Sequence, residues 1–283
     1  MSSVFPPPAR PLPAFKSILF EGSFPPSAPI HLCLSHTSRA DSKAIILSPS
    51  RRALASALVD YNDDWLEACA RTGKTARDLS QIDIFYPPSA AHLALLLSML
   101  RVSQTPEDYT SDNMKTVLER APALTVLHEP SSYLVKSDTP PTVSSYLSLI
   151  ARTLAAVSLL SAGSGGTALA VFDSQLHELK LPVLKPPTSV EDEDNALQHD
   201  NSFSGPTQVR SLAAKYFEWV GTFEDLPTSL DEAANPDSLH RRRLGLRRSN
   251  QTDSENDILW QWSEVSLPAR GASERPTTVL EWD

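Results

Sequence analysis

The sequence predicts an α/β fold: a mostly parallel sheet with helices on both faces. Three observations carry the fold class. Short, nearly continuous apolar runs recur at 17–20, 43–50, 81–89, 123–129 and 167–175, as expected of strands buried on both sides. Segments of helical apolar period separate them. Proline, 24 residues against 9 glycines, supplies the breaks between elements.

The elements follow in order. SILF, closed by Glu21-Gly22 and the turn-rich SFPPSAP, reads as a strand and loop, and IHLCLSHTSRA as the helix after it. KAIILSPS is a second strand. The helix behind it keeps Leu54, Leu58, Trp65, Leu66 and Cys69 on one stripe, with a break near Asn62. QIDIFYPPS is a strand stopped by two prolines, SAAHLALLLSMLRV a helix, ALTVLHE a fourth strand, and TVSSYLSLIARTLAAVSLLSAG a long helix for which Gly163 suits a C-terminal cap. TALAVFDSQ is a fifth strand. The organisation expected is a Pro-rich N-terminal tail (1–16), an α/β core (17–180), an acidic mobile loop (181–209), a core helix and strand (210–226), a polar loop with an arginine cluster (227–257) and C-terminal strands (258–283).

Net charge is −9, from 25 Lys+Arg and 34 Asp+Glu, and residues 181–283 carry most of the excess acid. Such a chain has no long-range pull on nucleic acid, so binding would need a local basic cluster. The one such cluster is Arg241, Arg242, Arg243, Arg247 and Arg248, a candidate phosphate contact or nuclear-localisation signal, or else a solvated loop neutralising adjacent acids. Two cysteines, Cys33 and Cys69, make no disulfide framework, and the N-terminus lacks the apolar core of a signal peptide, so a reducing compartment is expected. The best membrane candidate, 153–172, is interrupted by Ser and Gly, so no membrane span is expected.

Phosphate-binding chemistry needs Gly-x4-Gly-Lys-Ser/Thr between a strand and a helix, so that backbone N–H groups face the phosphates. Gly73-Lys74-Thr75 has Ala68 where the first glycine belongs and is expected to end a helix. The correctly placed octet starts at Gly22 but has Ser27, Ala28 and Pro29 where Gly, Lys and Ser/Thr belong, removing the ammonium, the metal-binding hydroxyl and an N–H donor. On the fourth strand His128 stands where a magnesium carboxylate is needed; Glu129 is next to it, but neighbouring strand residues face opposite ways. A fold that no longer hydrolyses nucleotide follows, with no catalytic residue, cofactor or metal expected. The glycine patterns at 162–168 follow a helix and precede a strand, the wrong context for dinucleotide binding or a nucleophile elbow. His31, Cys33 and His36 do not share a helix face and read as core.

The first strand with its degenerate loop, the strand ending Tyr86-Pro-Pro-Ser89, and ALTVLHEPSSYL followed by SSYLSLIARTLA together resemble the RecA-type recombinase paralogues over 17–226. The closest likeness is to the small subunits that pair with a SWIM-domain zinc protein in Shu complexes. The resemblance puts Gln175 at the place of a glutamine that senses the γ-phosphate. It implies a nuclear, non-catalytic accessory subunit in a hetero-oligomer with a SWIM-domain zinc protein and a recombinase or its paralogues, promoting recombinase filaments on single-stranded DNA. Glu191 to Asp194 lie where recombinases touch DNA, and they would repel phosphates. Two other readings stay open: a structural subunit of an Elongator-type tRNA-modification assembly, and an active enzyme using Glu129. Trp260, Trp262 and Trp282 are candidates for a partner interface or for closing the sheet edge.

Overall fold

The structure, a computed structural model, describes residues 2–38, 42–103, 116–135, 140–162, 166–184, 206–227, 240–250, 257–268 and 275–282. The elements run β1 (Ser17–Gly22), α1 (Ala28–Thr37), β2 (Ala44–Leu47), α2 (Arg51–Tyr61), α3 (Asp64–Cys69), α4 (Gly73–Leu79), β3 (Ile82–Phe85), α5 (Ala90–Met99), β4 (Arg101–Val102), β5 (Val117–Leu118), β6 (Leu124–His128), α6 (Ser132–Val135), α7 (Val143–Ser161), β7 (Ala168–Asp173), β8 (Lys180–Leu181), β9 (Thr207–Gln208), α8 (Val209–Ala213), β10 (Trp219–Asp225), β11 (His240–Arg248), β12 (Ile258–Leu267) and β13 (Thr277–Trp282). Nine strands form one mixed sheet in the order β13-β12-β11-β10-β1-β7-β6-β2-β3. The run from β10 to β3 is parallel, and β11 to β13 extend it as an antiparallel meander. The mostly parallel α/β sheet read from the apolar runs is therefore present.

Local chemistry explains the boundaries. Ser50, Asp63 and Ser89 cap α2, α3 and α5 by accepting from Ala53, Leu66 and His92 N–H groups. The expected break at Asn62 is a left-handed residue (φ 47°) that ends α2 one position before the Asp63 cap. In the parallel strands side chains alternate between two cores. Leu19, Ile45, Leu127 and Val171 face α5, α7 and α8 on one side. Ile18, Ile46, Val126 and Ala170 face α1 on the other, which α2, α3 and α4 also cover through Leu58, Trp65 and Leu79.

Several expectations change. The N-terminal tail is part of the core: Val4, Phe5 and Leu12 are buried, and the Phe5 ring meets Trp262 at 4.8 Å and Trp282 at 4.9 Å. Wrapped by this segment, α1 has nine buried residues, including His31, Cys33 and His36. Within the expected polar loop 227–257, residues 240–248 form β11, because Arg242, Leu244 and Leu246 alternate inward. The expected loop 181–209 contributes the β8–β9 pair, with Leu181 opposite Thr207, and the start of α8; Gly163 and Glu191 to Asp194 lie outside the described residues. Gly73-Lys74-Thr75 opens α4 instead of ending a helix, but α4 follows another helix and is seven residues long. Among the described residues the helix long and apolar enough to cross a membrane is α7, shifted from the 153–172 window, and its inner side is packed on the sheet through Tyr146, Ile150 and Val157.

Candidate functional site

The carboxyl ends of β1, β7 and β6 lie side by side, since Glu21 pairs in register with Asp173 and His128 with Phe172. The connection leaving β1 crosses one face of the sheet and that leaving β7 the other, the switch at which open α/β sheets leave a ligand crevice. Of the degenerate-site residues named from the sequence, Gly22, His128, Glu129 and Gln175 lie at or just beyond these strand ends, whereas Ser27, Ala28 and Pro29 are buried at the start of α1.

The loop after β1 is built around Gly22. Its φ is 85°, and a Cβ there would stand 2.2 Å from the Phe223 carbonyl oxygen, so no other residue fits without moving the backbone. Phe24 then turns inward, its ring 5.1 Å from Phe172, 6.3 Å from Phe223 and 6.0 Å from the His128 ring. Ser27, buried at the start of α1, donates to Asp63 Oδ2 at 2.6 Å. His31 Nε2 lies 2.9 Å from the same oxygen, and the Leu66 N–H donates to Oδ1. Burial works to raise the Asp63 carboxyl, but the hydrogen bond and charge of His31, with Ser27 and the Leu66 amide, outweigh it and hold the group below its usual range. The start of α1 thus meets a carboxylate instead of offering N–H groups and an ammonium to an anion. These residues do not fit a nucleotide phosphate.

At the end of β6 the two neighbours diverge, because the strand stops at His128 and Glu129 leaves it in the left-handed region. His128 faces Phe24 and places Nδ1 3.2 Å from Ser48 Oγ, and burial pushes it down to about 4, so it is a neutral imidazole at physiological pH. Glu129, in the left-handed region at φ 51°, turns to the other face and accepts from the Ser174 N–H at 3.2 Å. Burial, with the Asp173 charge beside it, pushes the Glu129 carboxyl up to about 7. Asp173 is fully buried at the end of β7, accepting from Ser131 Oγ (2.6 Å), Tyr146 OH (2.9 Å) and the Gln175 N–H (3.3 Å); burial outweighs these bonds and raises it. In the same row Glu21 is fully buried, accepting from Arg210 Nε at 2.8 Å and Thr222 Oγ1 at 2.9 Å, while its Oε2 has no hydrogen-bond partner among the described residues. Gln175 is exposed just beyond β7, its amide 3.5 Å from Ser174 Oγ.

Sequence reasoning found Gly22, His128 and Glu129 but missed Asp173, Glu21 and Asp63. Asp173 carried a readable signal, an acid ending an apolar strand. Glu21 and Asp63 are partnered from far along the chain, Glu21 by Arg210, 189 residues away, and Asp63 by His31, 32 away, which no local pattern shows. Among the described residues no group of three or more His, Cys, Asp or Glu side chains is placed to hold a metal ion.

The arginine cluster is dispersed by its strand. Arg242 is buried, donating to Asp225 and Glu264 at 2.9 and 2.8 Å. Arg243 is paired with Glu224, and Arg248 with Glu218 while lying over the Trp219 ring. Arg241 and Arg247 are exposed on the opposite side of the strand from Arg242. Five arginines within eight residues therefore do not make a five-arginine surface. Trp260 and Trp262 are buried in the chain's own core, which removes them as candidates for an exposed interface. No protein-family model and no curated protein matches this chain.

Proposed function

We propose that the chain is a non-catalytic, RecA-like accessory subunit of a Shu-like homologous-recombination complex, acting with a SWIM-domain zinc protein to promote recombinase filaments on single-stranded DNA. The observation that carries the non-catalytic part is Phe24: the loop that would cradle phosphates instead buries an aromatic ring against Phe172, Phe223 and His128. The family part is supported by the sequence resemblance and by the convergence of Gly22, His128, Glu129 and Gln175 on one edge of a mostly parallel sheet. A subunit without a nucleotide lacks the ligand that would stabilise its loop by mass action, and a partner takes that role.

Two measurements test the reading. Purified chain with Mg-ATP should show no turnover above a buffer blank, because charge, hydroxyl and metal carboxylate are all replaced. Turnover abolished by Glu129→Ala would overturn it in favour of an enzyme. Co-expression with a SWIM-domain zinc protein should give a stable complex, whereas pairing with RecA-like ring subunits of an Elongator-type assembly instead would move the chain to tRNA modification.

A further inference from the structure

The exits of β6 and β7 are held by a reciprocal pair of contacts. Glu129, one residue past β6, accepts the Ser174 N–H from the exit of β7 at 3.2 Å. Asp173, the last residue of β7, accepts the Ser131 N–H at 3.2 Å and the Ser131 hydroxyl at 2.6 Å from the exit of β6. Each carboxyl group therefore holds the other strand's loop. The backbone adds one more tie, from the Glu129 N–H to the Phe172 carbonyl at 2.7 Å. Around the pair stand Glu21 from β1, Tyr146 from α7 and Arg210 from α8, and Arg210 is bound to Glu21. Of the other titratable groups nearby, His128 faces the opposite side and His177 pairs with Glu178 at 3.5 Å. Among the described residues, two buried carboxyl groups thus sit together with no cation of their own.

The donors are divided unequally between the two acids. Asp173 accepts four hydrogen bonds, two from Ser131, one from Tyr146 OH and one from the Gln175 N–H. Both oxygens of Glu129 share a single amide, that of Ser174. Donors favour the charged form, so Asp173 ionises first and Glu129 retains the proton of the pair. Glu129 also stands at φ 51°, a left-handed conformation that its carboxyl contact helps to hold. We propose that Glu129 and Asp173 form a proton-operated clasp: with a proton on Glu129 the exits of β6 and β7 are fastened together, and its loss releases residues 129–135 and 174–178 from each other. Release carries α6, with its buried Tyr133 and Leu134, away from the core. Glu129 in the closed clasp is pushed up to about 7 from the ordinary 4.5. The closed form then binds more protons across that window, so opening is favoured as pH rises from 4.5 to 7 and levels off above it. Nothing in the clasp depends on which assembly the chain joins.

The test is hydrogen exchange of the full chain, read by mass spectrometry at pH 5 and pH 8 with the intrinsic exchange rates divided out. In the wild type, peptides covering 129–135 and 174–178 should lose protection by about 50-fold from pH 5 to pH 8, the scale set by moving one carboxyl from 4.5 to about 7. At pH 8 they should also exchange at least about 100-fold faster than β1, which opens only with the whole fold. Glu129→Gln keeps an uncharged acceptor for the Ser174 N–H and should hold the pH 5 protection at pH 8. Asp173→Asn meets four donors with one oxygen fewer and should leave both segments open at either pH. Should Asp173→Asn fail to fold, as judged by circular dichroism, the comparison of wild type with Glu129→Gln decides. Equal exchange of those two proteins at pH 8, protection of the two segments as high as that of β1, or release of one segment without the other would each overturn the proposal.

Discussion

The two sides of the sheet solve the same burial problem differently. Around α1 the chain covers itself: the N-terminal segment and α2 to α4 enclose the helix until histidines and a cysteine are buried with it. Around α7 nothing among the described elements covers the outer surface, and large apolar side chains stand in solvent. A helix covered all round tolerates polar residues only where a partner is built in, as Asp63 is for His31 and Ser2 for His36. A helix covered on one side needs no such partners: α7 leaves Arg152, Ser144, Ser148 and Ser158 to water on its outer face, and Leu159 is the large apolar exception.

The largest expected effect breaks the self-covered side. Phe5→Ala removes a ring that touches Phe223, Trp260, Trp262 and Trp282, and should lower unfolding free energy by about 3–5 kcal/mol in denaturant titration. A loss below about 1 kcal/mol would return the N-terminal segment to the status of a tail. Next comes Arg242→Ala, which leaves the mostly buried Glu264 without its cation and should cost about 3 kcal/mol. Arg243→Ala, one residue along the same strand and half exposed, should cost less than about 1 kcal/mol.

The carboxyl edge joins the two sides, and its titration can be signed. Folded Glu129 keeps its proton to about pH 7, whereas an ordinary glutamate releases it near 4.5. The folded state then binds more protons across that window, so stability falls as pH rises from 4.5 to 7 and stays lower above it. Glu129→Gln should therefore stabilise the protein at pH 8 by at most about 3 kcal/mol and leave it unchanged at pH 4. His128 acts in the opposite sense: its folded form stays neutral down to about pH 4, so stability is lost as pH falls below 6.5. That acid-side loss should survive Glu129→Gln. A variant with the wild-type pH profile would mean that Glu129 is solvated and ionised in the native protein.

What was legible in the sequence follows the same division. Most buried strands wrote a nearly continuous apolar run, so the parallel sheet could be read, and Asn62 followed by Asp63 marked a helix boundary by local chemistry alone. The decay of the phosphate loop was legible at Ala28, Pro29 and His128, because a missing ammonium needs no tertiary knowledge. Phe24 as the side chain that fills the loop was not legible, since its contacts come from β6, β7 and β10. The arginine cluster misled because polarity was weighed without alternation: Arg242, Leu244 and Leu246 share one side of a strand that Asp225 and Glu264 neutralise from its neighbours.

The smallest expected effect sharpens the comparison most. Leu159→Gln replaces a side chain that is 79% exposed, so the isolated chain should change in stability by no more than about 0.5 kcal/mol. Leu160→Gln, one residue away on the buried side, puts an amide into the core formed with Leu149, Ile150 and Val157 and should cost several times as much. Adjacent residues of equal hydrophobicity would then differ only by which side of α7 they occupy. Equal costs at 159 and 160 would show that another part of the chain covers the outer face in solution, and α7 would join α1 as a self-enclosed helix.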